Sequence, residues 1–308
     1  MDPQTKYRES LSNILPAGCG NCTHPHFLRV ANYGRKAGLS PEQVFEDLRR
    51  ATPRGKRPVT EGEHWDAVKK AFSGSTGDFV PKPKPIIRDG ALVLRRLVEQ
   101  GQGATEESIR DASPVRIDGK DDAVLTLQTL YSGDALLFIG EREDAGILGK
   151  TIRPCSEWIE HFREAGRPGP HIIPNPLTGR PAPLKSEPEK MTYRGDNNVI
   201  SYRFAVVEFD NLSREDQLAF WGVATLPVCA LIDSGGKSLH GWIDVRRLAD
   251  VRTAEEWNLH IRTRLYHQLL VPLGVDSACS NPSRLSRLPG HYRAEKGRVQ
   301  RLLFLSPS

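Results

Sequence analysis

At 308 residues, with 38% hydrophobic and 26% charged side chains, the chain has an ordinary globular composition and room for one large domain or two smaller ones. No stretch is apolar enough to span a bilayer and MDPQTKYRES carries no apolar signal core, so no membrane partner and a cytoplasmic location are expected. Five Cys, an odd number scattered along the chain, argue against a disulfide framework. The net charge of +5 is unevenly held: residues 1–84 carry 14 Lys and Arg against 9 Asp and Glu, and the rest carry 29 of each.

In chain order, CGNCTHPH (19–26) comes first and offers Cys19, Cys22, His24 and His26 as candidate zinc ligands. Cys-x2-Cys is a proper half-site, but finger-type sites separate their two pairs by about a dozen residues, which these pairs do not. Phe27, Val30, Ala31 and Gly34 then follow helical spacing, with Gly38 placed to end the helix. Ser40-Pro41-Glu42-Gln43 starts a second helix carrying Val44, Phe45 and Leu48. RRATPRGKR (49–57) supplies Arg49, Arg50, Arg54, Lys56 and Arg57 with no acid between them, which suits a nucleic-acid backbone or, equally, a solvated surface. Thr60…Glu63 is a further capping box, before Trp65, Val68 and Phe72. Three short helices are therefore expected. SGSTGDFVPKPKP (73–85) has linker composition. The expected division is a helical domain at 1–75, a linker at 76–88 and an α/β domain at 89–308. Strands are expected at 136–139, 202–209, 228–232, 239–245 and 299–305, and helices at 157–165, 214–221 and 254–269.

Residues 231–245, LIDSGGKSLHGWIDV, imitate a phosphate loop. A Walker A loop needs Gly-x4-Gly-Lys-Ser/Thr followed by a helix, but Leu231 stands at the first Gly position and LHGWIDV alternates like a strand. GILGKT (146–151) fails similarly, with Asp144 at the first Gly position and Pro154 interrupting any helix. The chain is therefore not expected to be an ATPase. Instead the segment reads as a hairpin in which Ser238 and His240 share a face. With Lys237 beside the turn, they could hold a phosphate chain, although a buried, satisfied His is the commoner case.

Earlier, YRFAVVEFDNLS (202–213) puts Glu208 and Asp210 two apart on an otherwise apolar strand. Two such acids are costly to ionise together unless a cation lies between them, and hard divalent cations suit the pair. The bland alternative is an Asp starting a turn beside a Glu in an ordinary ion pair. Later, LGVDSACSNPSRLSRLPGHYR (273–293) supplies Asp276 as a third carboxylate and Arg284 and Arg287 as fork-shaped phosphate donors.

VVEFD, SGGKSLHGW and VDSACSNPSRLSRLPG, in that order, resemble the three motifs of the archaeo-eukaryotic primase (AEP) superfamily, and more narrowly the primase-polymerases of phages, plasmids and integrated elements. The resemblance covers about residues 120–305, including NPLTG (175–179) and YRGDNNVISYRF. It implies an α/β (α+β) core with a mixed sheet and RRM-like elements, preceded by a small all-helical domain. HPHFLRVANYGRKAGLSPEQVFEDLRRATPRGKRPVTEGEHWDAVKKAF resembles the helical accessory domain of such enzymes, which usually follows the catalytic domain and here precedes it. The implied activity is template-directed nucleotidyl transfer, with Glu208, Asp210 and Asp276 holding two Mg²⁺ or Mn²⁺ ions. Ser238 and His240 would contact the triphosphate, helped by Lys237, Arg287 and Arg284. The first motif is Glu-x-Asp here, where many members have Asp-x-Asp or Asp-x-Glu. The implied partners are a single-stranded DNA template, NTPs or dNTPs and a separate helicase, since both Walker-like stretches fail. Two other functions compete: a non-catalytic DNA-binding accessory or initiator protein, and a metal-dependent nuclease using Glu208, Asp210 and His240.

Overall fold

The computed structural model describes residues 2–17, 23–72, 85–164, 166–184 and 187–307, and of Thr23 and His24 the backbone alone. Of the zinc candidates, Cys19, Cys22 and the His24 side chain lie outside the described residues, as does 76–84 of the expected linker. His26 lies near the start of a helix. The chain divides into two compact units, Met1–Val80 and Pro81–Ser308.

Among the described residues the first unit has four helices, one more than expected. α1 (Pro3–Ser12) is capped by Asp2, whose Oδ1 accepts from Gln4 N at 2.8 Å. It buries only Tyr7 and Ser10, too thin a stripe for periodicity to reveal. α2 (Thr23–Lys36), α3 (Pro41–Ala51) and α4 (Glu61–Phe72) follow. Ser40 Oγ accepts from Gln43 N at 3.2 Å to start α3, and Thr60 and Glu63 exchange both bonds of a capping box before α4. Phe27, Val30, Ala31, Val44, Phe45, Leu48, Ala67 and Val68 form the core. Gly34 permits the close approach of α2 to α3, because a Cβ there would come within 2.4 Å of Val44 Cγ2.

The second unit is α+β. α5 (Gly90–Gln100), α6 (Glu106–Asp111) and α7 (Asp122–Leu130) lead to β1 (Leu136–Gly140), β2 (Ile152–Pro154) and α8 (Cys155–Glu164). After β3 (His171–Ile172), the short hairpin of β4 (Ala182–Pro183) and β5 (Met191–Thr192) leads to β6 (Phe204–Val207). Then come α9 (Arg214–Val223), β7 (Val228–Asp233) and β8 (Leu239–Asp244). The chain ends with β9 (Ser286–Arg287), β10 (Tyr292–Arg293), β11 (Arg298–Val299) and β12 (Arg301–Leu305). The strand expected at 299–305 is thus split at Gln300, between the β10–β11 hairpin and the central sheet. The helix expected at 254–269 begins with the Thr253–Glu256 capping box, makes one α turn and continues with π-helical winding over Trp257–Leu270.

The central sheet has the order β12-β7-β8-β6, all antiparallel, and is buried on both faces. Alternate residues of β6 explain its solidly apolar sequence. Ala205 and Val207 face α9 and the π-wound helix through Phe220, Trp221, Trp257 and Tyr266. Phe204 and Val206 face α7, α8 and the second sheet, β2-β1-β3-β9, through Leu127, Trp158, Leu137 and Ile172. Cys155, Cys229 and Cys279 are buried free thiols. Among the described residues no helix is long and apolar enough to cross a membrane.

Candidate active site

The two acids of the first motif lie just beyond β6, where its apolar run gives out. β6 pairs with β8 so that Val207 is opposite Gly241, which brings Glu208 level with His240 on the face turned toward the second sheet. Phe209 is buried and bridges Val275, and Asp276 N donates to Glu208 O at 3.0 Å. That single bridge carries the third acid to the first. Gly274, at φ +92°, makes the turn that permits it.

The Ser234–Ser238 turn joins β7 to β8, with Gly235 at φ +66°. Gln217, fully buried on α9, fixes it: Nε2 donates to Lys237 O at 3.2 Å and Oε1 accepts from Leu239 N at 2.8 Å. Asn175 of the NPLTG stretch braces the other side. Its Nδ2 donates to Phe204 O and Pro282 O, each at 2.9 Å, and its Oδ1 accepts from Arg203 N and Phe204 N. One buried amide thus ties β6 to the loop of the third motif. Asp196 fastens the same loop by accepting from Ser283 Oγ at 2.6 Å and Asn281 Nδ2 at 3.2 Å.

Glu208, Asp210, His240, Asp276, Arg284 and Arg287 all line one hollow of ≈ 670 Å³. Ser238 Oγ donates to Glu208 Oε1 at 2.9 Å, and His240 Nε2 lies 3.4 Å from the same oxygen. Burial pushes the Glu208 carboxyl up, but His240, Ser238 and Arg284 outweigh it and hold the group at about 2. Asp210 is exposed, and its carboxyl is raised by partial desolvation and by repulsion from Glu208 and Asp276. Arg284 lies between the other two acids, with Nη2 3.2 Å from Asp276 Oδ2 and 3.8 Å from Glu208 Oε2. Its own Nε is buried without a partner.

These observations test the fit of a divalent cation. The donors are hard carboxylate oxygens that repel one another, which suits Mg²⁺ or Mn²⁺. However, among the described residues no group of three or more His, Cys, Asp or Glu side chains is drawn together tightly enough to hold an ion. Between Glu208 and Asp276 stands the Arg284 guanidinium, which pairs with both acids.

Lys237 sits elsewhere, at a place that Arg287 borders as well as the first hollow. With Ser234, Gly236 and Ser238 they line a second hollow of ≈ 470 Å³, together with Arg293, Lys296 and Arg298. Ser238 contacts the Glu208 carboxylate of the first hollow and Arg287 lines both hollows, so the two adjoin. Arg293 and Arg298 are direct cross-strand partners in the β10–β11 hairpin, a like-charge pairing that Glu295 offsets by accepting from Arg293 Nε at 2.7 Å. Arg293 reaches the turn, donating from Nη1 to Ser234 O at 3.1 Å, and a Cβ at position 236 would be 3.0 Å from that nitrogen. The three bases after the Leu-Pro-Gly turn escaped sequence reasoning, since only the hairpin folds them back. His171, Arg142 and Arg194, on the far wall of the acidic hollow, were also missed. His171 is Arg287's partner across β3 and β9, a pairing that neither two-residue strand announces.

The basic run of the first unit is exposed throughout: Arg49, Arg50, Arg54, Lys56 and Arg57. Arg49 pairs with Glu46, and Arg57 forms a two-pronged bridge to Glu63. Another hollow of ≈ 700 Å³, lined by Trp221, Leu226 and Phe304, has Arg247 as its one ionisable side chain and so offers no comparable chemistry.

No protein-family model and no curated protein matches the chain. Among solved structures, the AEP domain of the cyanophage S-2L primase-polymerase is similar to it, at 17% identity and a TM-score of 0.36, over 61% of this chain and 91% of that one. A likeness this loose leaves function to be argued from the site.

Proposed function

We propose that the chain is a DNA primase-polymerase, a nucleotidyltransferase that makes or extends primers on single-stranded DNA in the replication of a phage or other mobile element. One observation carries this: a hollow lined by three acids and four arginines adjoins a hollow lined by five bases, with Arg287 common to both. Metal-binding acids beside a polyphosphate cradle are what phosphoryl-group transfer to a hydroxyl requires. The order of the three motifs supports the same assignment.

Mg²⁺ or Mn²⁺ held by Glu208, Asp210 and Asp276 would activate the attacking 3′-hydroxyl and offset charge on the departing pyrophosphate. The remaining work belongs to the chain itself. Ser238 and His240 present a hydroxyl and an imidazole at the junction of the two hollows, where the triphosphate enters. Lys237, Arg287 and the newly noted Arg293, Lys296 and Arg298 neutralise its tail. Arg284 offsets the repulsion between Glu208 and Asp276, a charge role that a bound divalent cation would share. In this assignment 89–308 is the catalytic domain and 1–75 an accessory domain that binds DNA through Arg49, Arg50, Arg54, Lys56 and Arg57. Unwinding falls to a separate helicase, and an ATPase recovered with the tagged protein from its host would identify it.

A non-catalytic DNA-binding role is favoured by one observation, the ion pairs that Arg284 makes with two of the acids. The test uses single-stranded template, labelled nucleotides and Mg²⁺ or Mn²⁺, with and without a primer, on the wild type and Asp210→Ala. New chains lost in the mutant establish the primase, and extension of a supplied primer alone makes it a polymerase. Bound but unextended DNA leaves the accessory role, and a shortened primer makes the protein a nuclease.

A further inference from the structure

His240 is buried, and both of its ring nitrogens have defined neighbours. Nε2 faces Glu208 Oε1 at 3.4 Å and Ser238 Oγ at 3.5 Å, while Nδ1 faces Ser286 Oγ at 3.2 Å. Ser286 is itself fully buried on β9, and its Oγ also takes a hydrogen bond of 2.7 Å from Trp242 Nε1. Trp242, two residues along β8 from His240, is fully buried as well.

The inventory of donors decides the direction of each bond. An indole N–H can only donate, so Trp242 occupies one lone pair of Ser286 Oγ. The Ser286 hydroxyl proton then needs an acceptor, and in a dry site leaving it without one is costly. Nδ1 of His240 is the acceptor within reach. Nδ1 must therefore be bare and Nε2 must carry the proton.

We infer that Trp242 and Ser286 are positioning residues that lock His240 in the tautomer whose Nε2–H points into the hollow of Glu208, Asp210 and Asp276, ready to donate to an anionic phosphate oxygen. The relay runs Trp242 Nε1–H to Ser286 Oγ, Ser286 O–H to His240 Nδ1, and His240 Nε2–H outward. Its substrate role rests on the primase-polymerase assignment; the tautomer does not. The second sheet thereby acts on the reaction through β9, although none of the relay residues except His240 touches substrate. Ser286 stands beside Arg287, so one two-residue strand places both the relay hydroxyl and a phosphate-binding guanidinium.

The test is histidine-edited ¹H–¹⁵N correlation of the full-length protein at neutral pH, which distinguishes the two tautomers. His240 is assigned by the signal lost in His240→Gln. The expected result is a protonated Nε2 and a bare Nδ1 in the wild type. In Ser286→Ala, and in Trp242→Phe should the first variant not fold, the same signals should shift toward the other tautomer or average between the two. A wild-type His240 protonated at Nδ1, or a spectrum unchanged in a folded variant, overturns the relay. In primer extension, Ser286→Ala should raise the nucleotide KM about tenfold, the cost of a misdirected hydrogen bond to a charged group, with a smaller change in kcat. Ser286→Thr, which keeps the hydroxyl, should recover most of that loss. If the wild type makes no chains at all, the enzymatic assignment fails, while the tautomer measurement still decides the relay.

Discussion

Arg284 is the residue on which the state of the site turns. Its guanidinium stands between Glu208 and Asp276. Truncating it leaves repelling carboxylates uncompensated, so Arg284→Ala should lose about 1–3 kcal/mol of stability without metal, by the usual cost of a lost hydrogen bond to a charged group. Because a divalent cation can replace the missing charge, Mn²⁺ should raise the Tm of this variant more than that of the wild type. Thermal melts with and without MnCl₂ check this, and equal shifts would mean that the acids do not share an ion. His171, across the hollow, makes a pH prediction. Burial first, then the neighbouring Arg287 guanidinium, pushes its imidazole down to about 4. The folded chain keeps His171 neutral while the unfolded chain takes up a proton below about 6.5, so stability falls as pH drops from 6.5 toward 4 and the effect saturates below that. An NMR titration should find its midpoint near 4; a midpoint near 6.5 would show that the ring is solvated.

At the scale of elements, the site is held by braces rather than by its strands alone. Asn175 has 1% exposure and bonds to β6 and to the loop of the third motif with both ends of its amide. Asn175→Ala strands buried backbone groups on two elements and should cost about 2–4 kcal/mol, read as a lowered urea midpoint at unchanged m-value. Such braces also explain what could be read from the sequence. β6 and β7 were legible because burial on both faces makes their apolar runs nearly continuous, β8 because LHGWIDV alternates, and α3 and α4 because their caps are local chemistry. The pairing of Ser238 with His240 followed from strand alternation alone. The basic hairpin, Ser286 and His171 were not legible, since β3, β9, β10 and β11 are two residues long and owe their conformation to partners distant in the chain. The ion pairs of Arg284 were hidden for a related reason: it lies eight positions after Asp276 with no strand or α-helix between to fix their geometry, and only the fold turns it back onto the acids.

Across the whole molecule, charge is segregated by task. The surplus of positive charge lies in residues 1–84, while the rest of the chain is balanced and keeps its bases locally, around the Ser234–Ser238 turn and the β10–β11 hairpin. Two different salt dependences follow from this separation. Contacts to a nucleic-acid backbone release condensed counterions, so affinity for single strands falls with a slope of about 0.7 per phosphate contact on logarithmic axes. Arg50, Arg54 and Lys56 are exposed and, among the described residues, make no ion pair, which leaves them available for such contacts. Replacing all three by Ala should weaken single-stranded DNA binding and flatten its salt slope by up to about 2, the sum of three lost contacts. The KM for a nucleoside triphosphate should stay unchanged, because that ligand is assigned to the second unit. Fluorescence anisotropy over a salt series, paired with nucleotide titrations in primer extension, measures both quantities on one variant. An unchanged slope would show the basic run to be solvated surface. A nucleotide KM that moved with it would show that the two units do not divide the labour as their charges indicate.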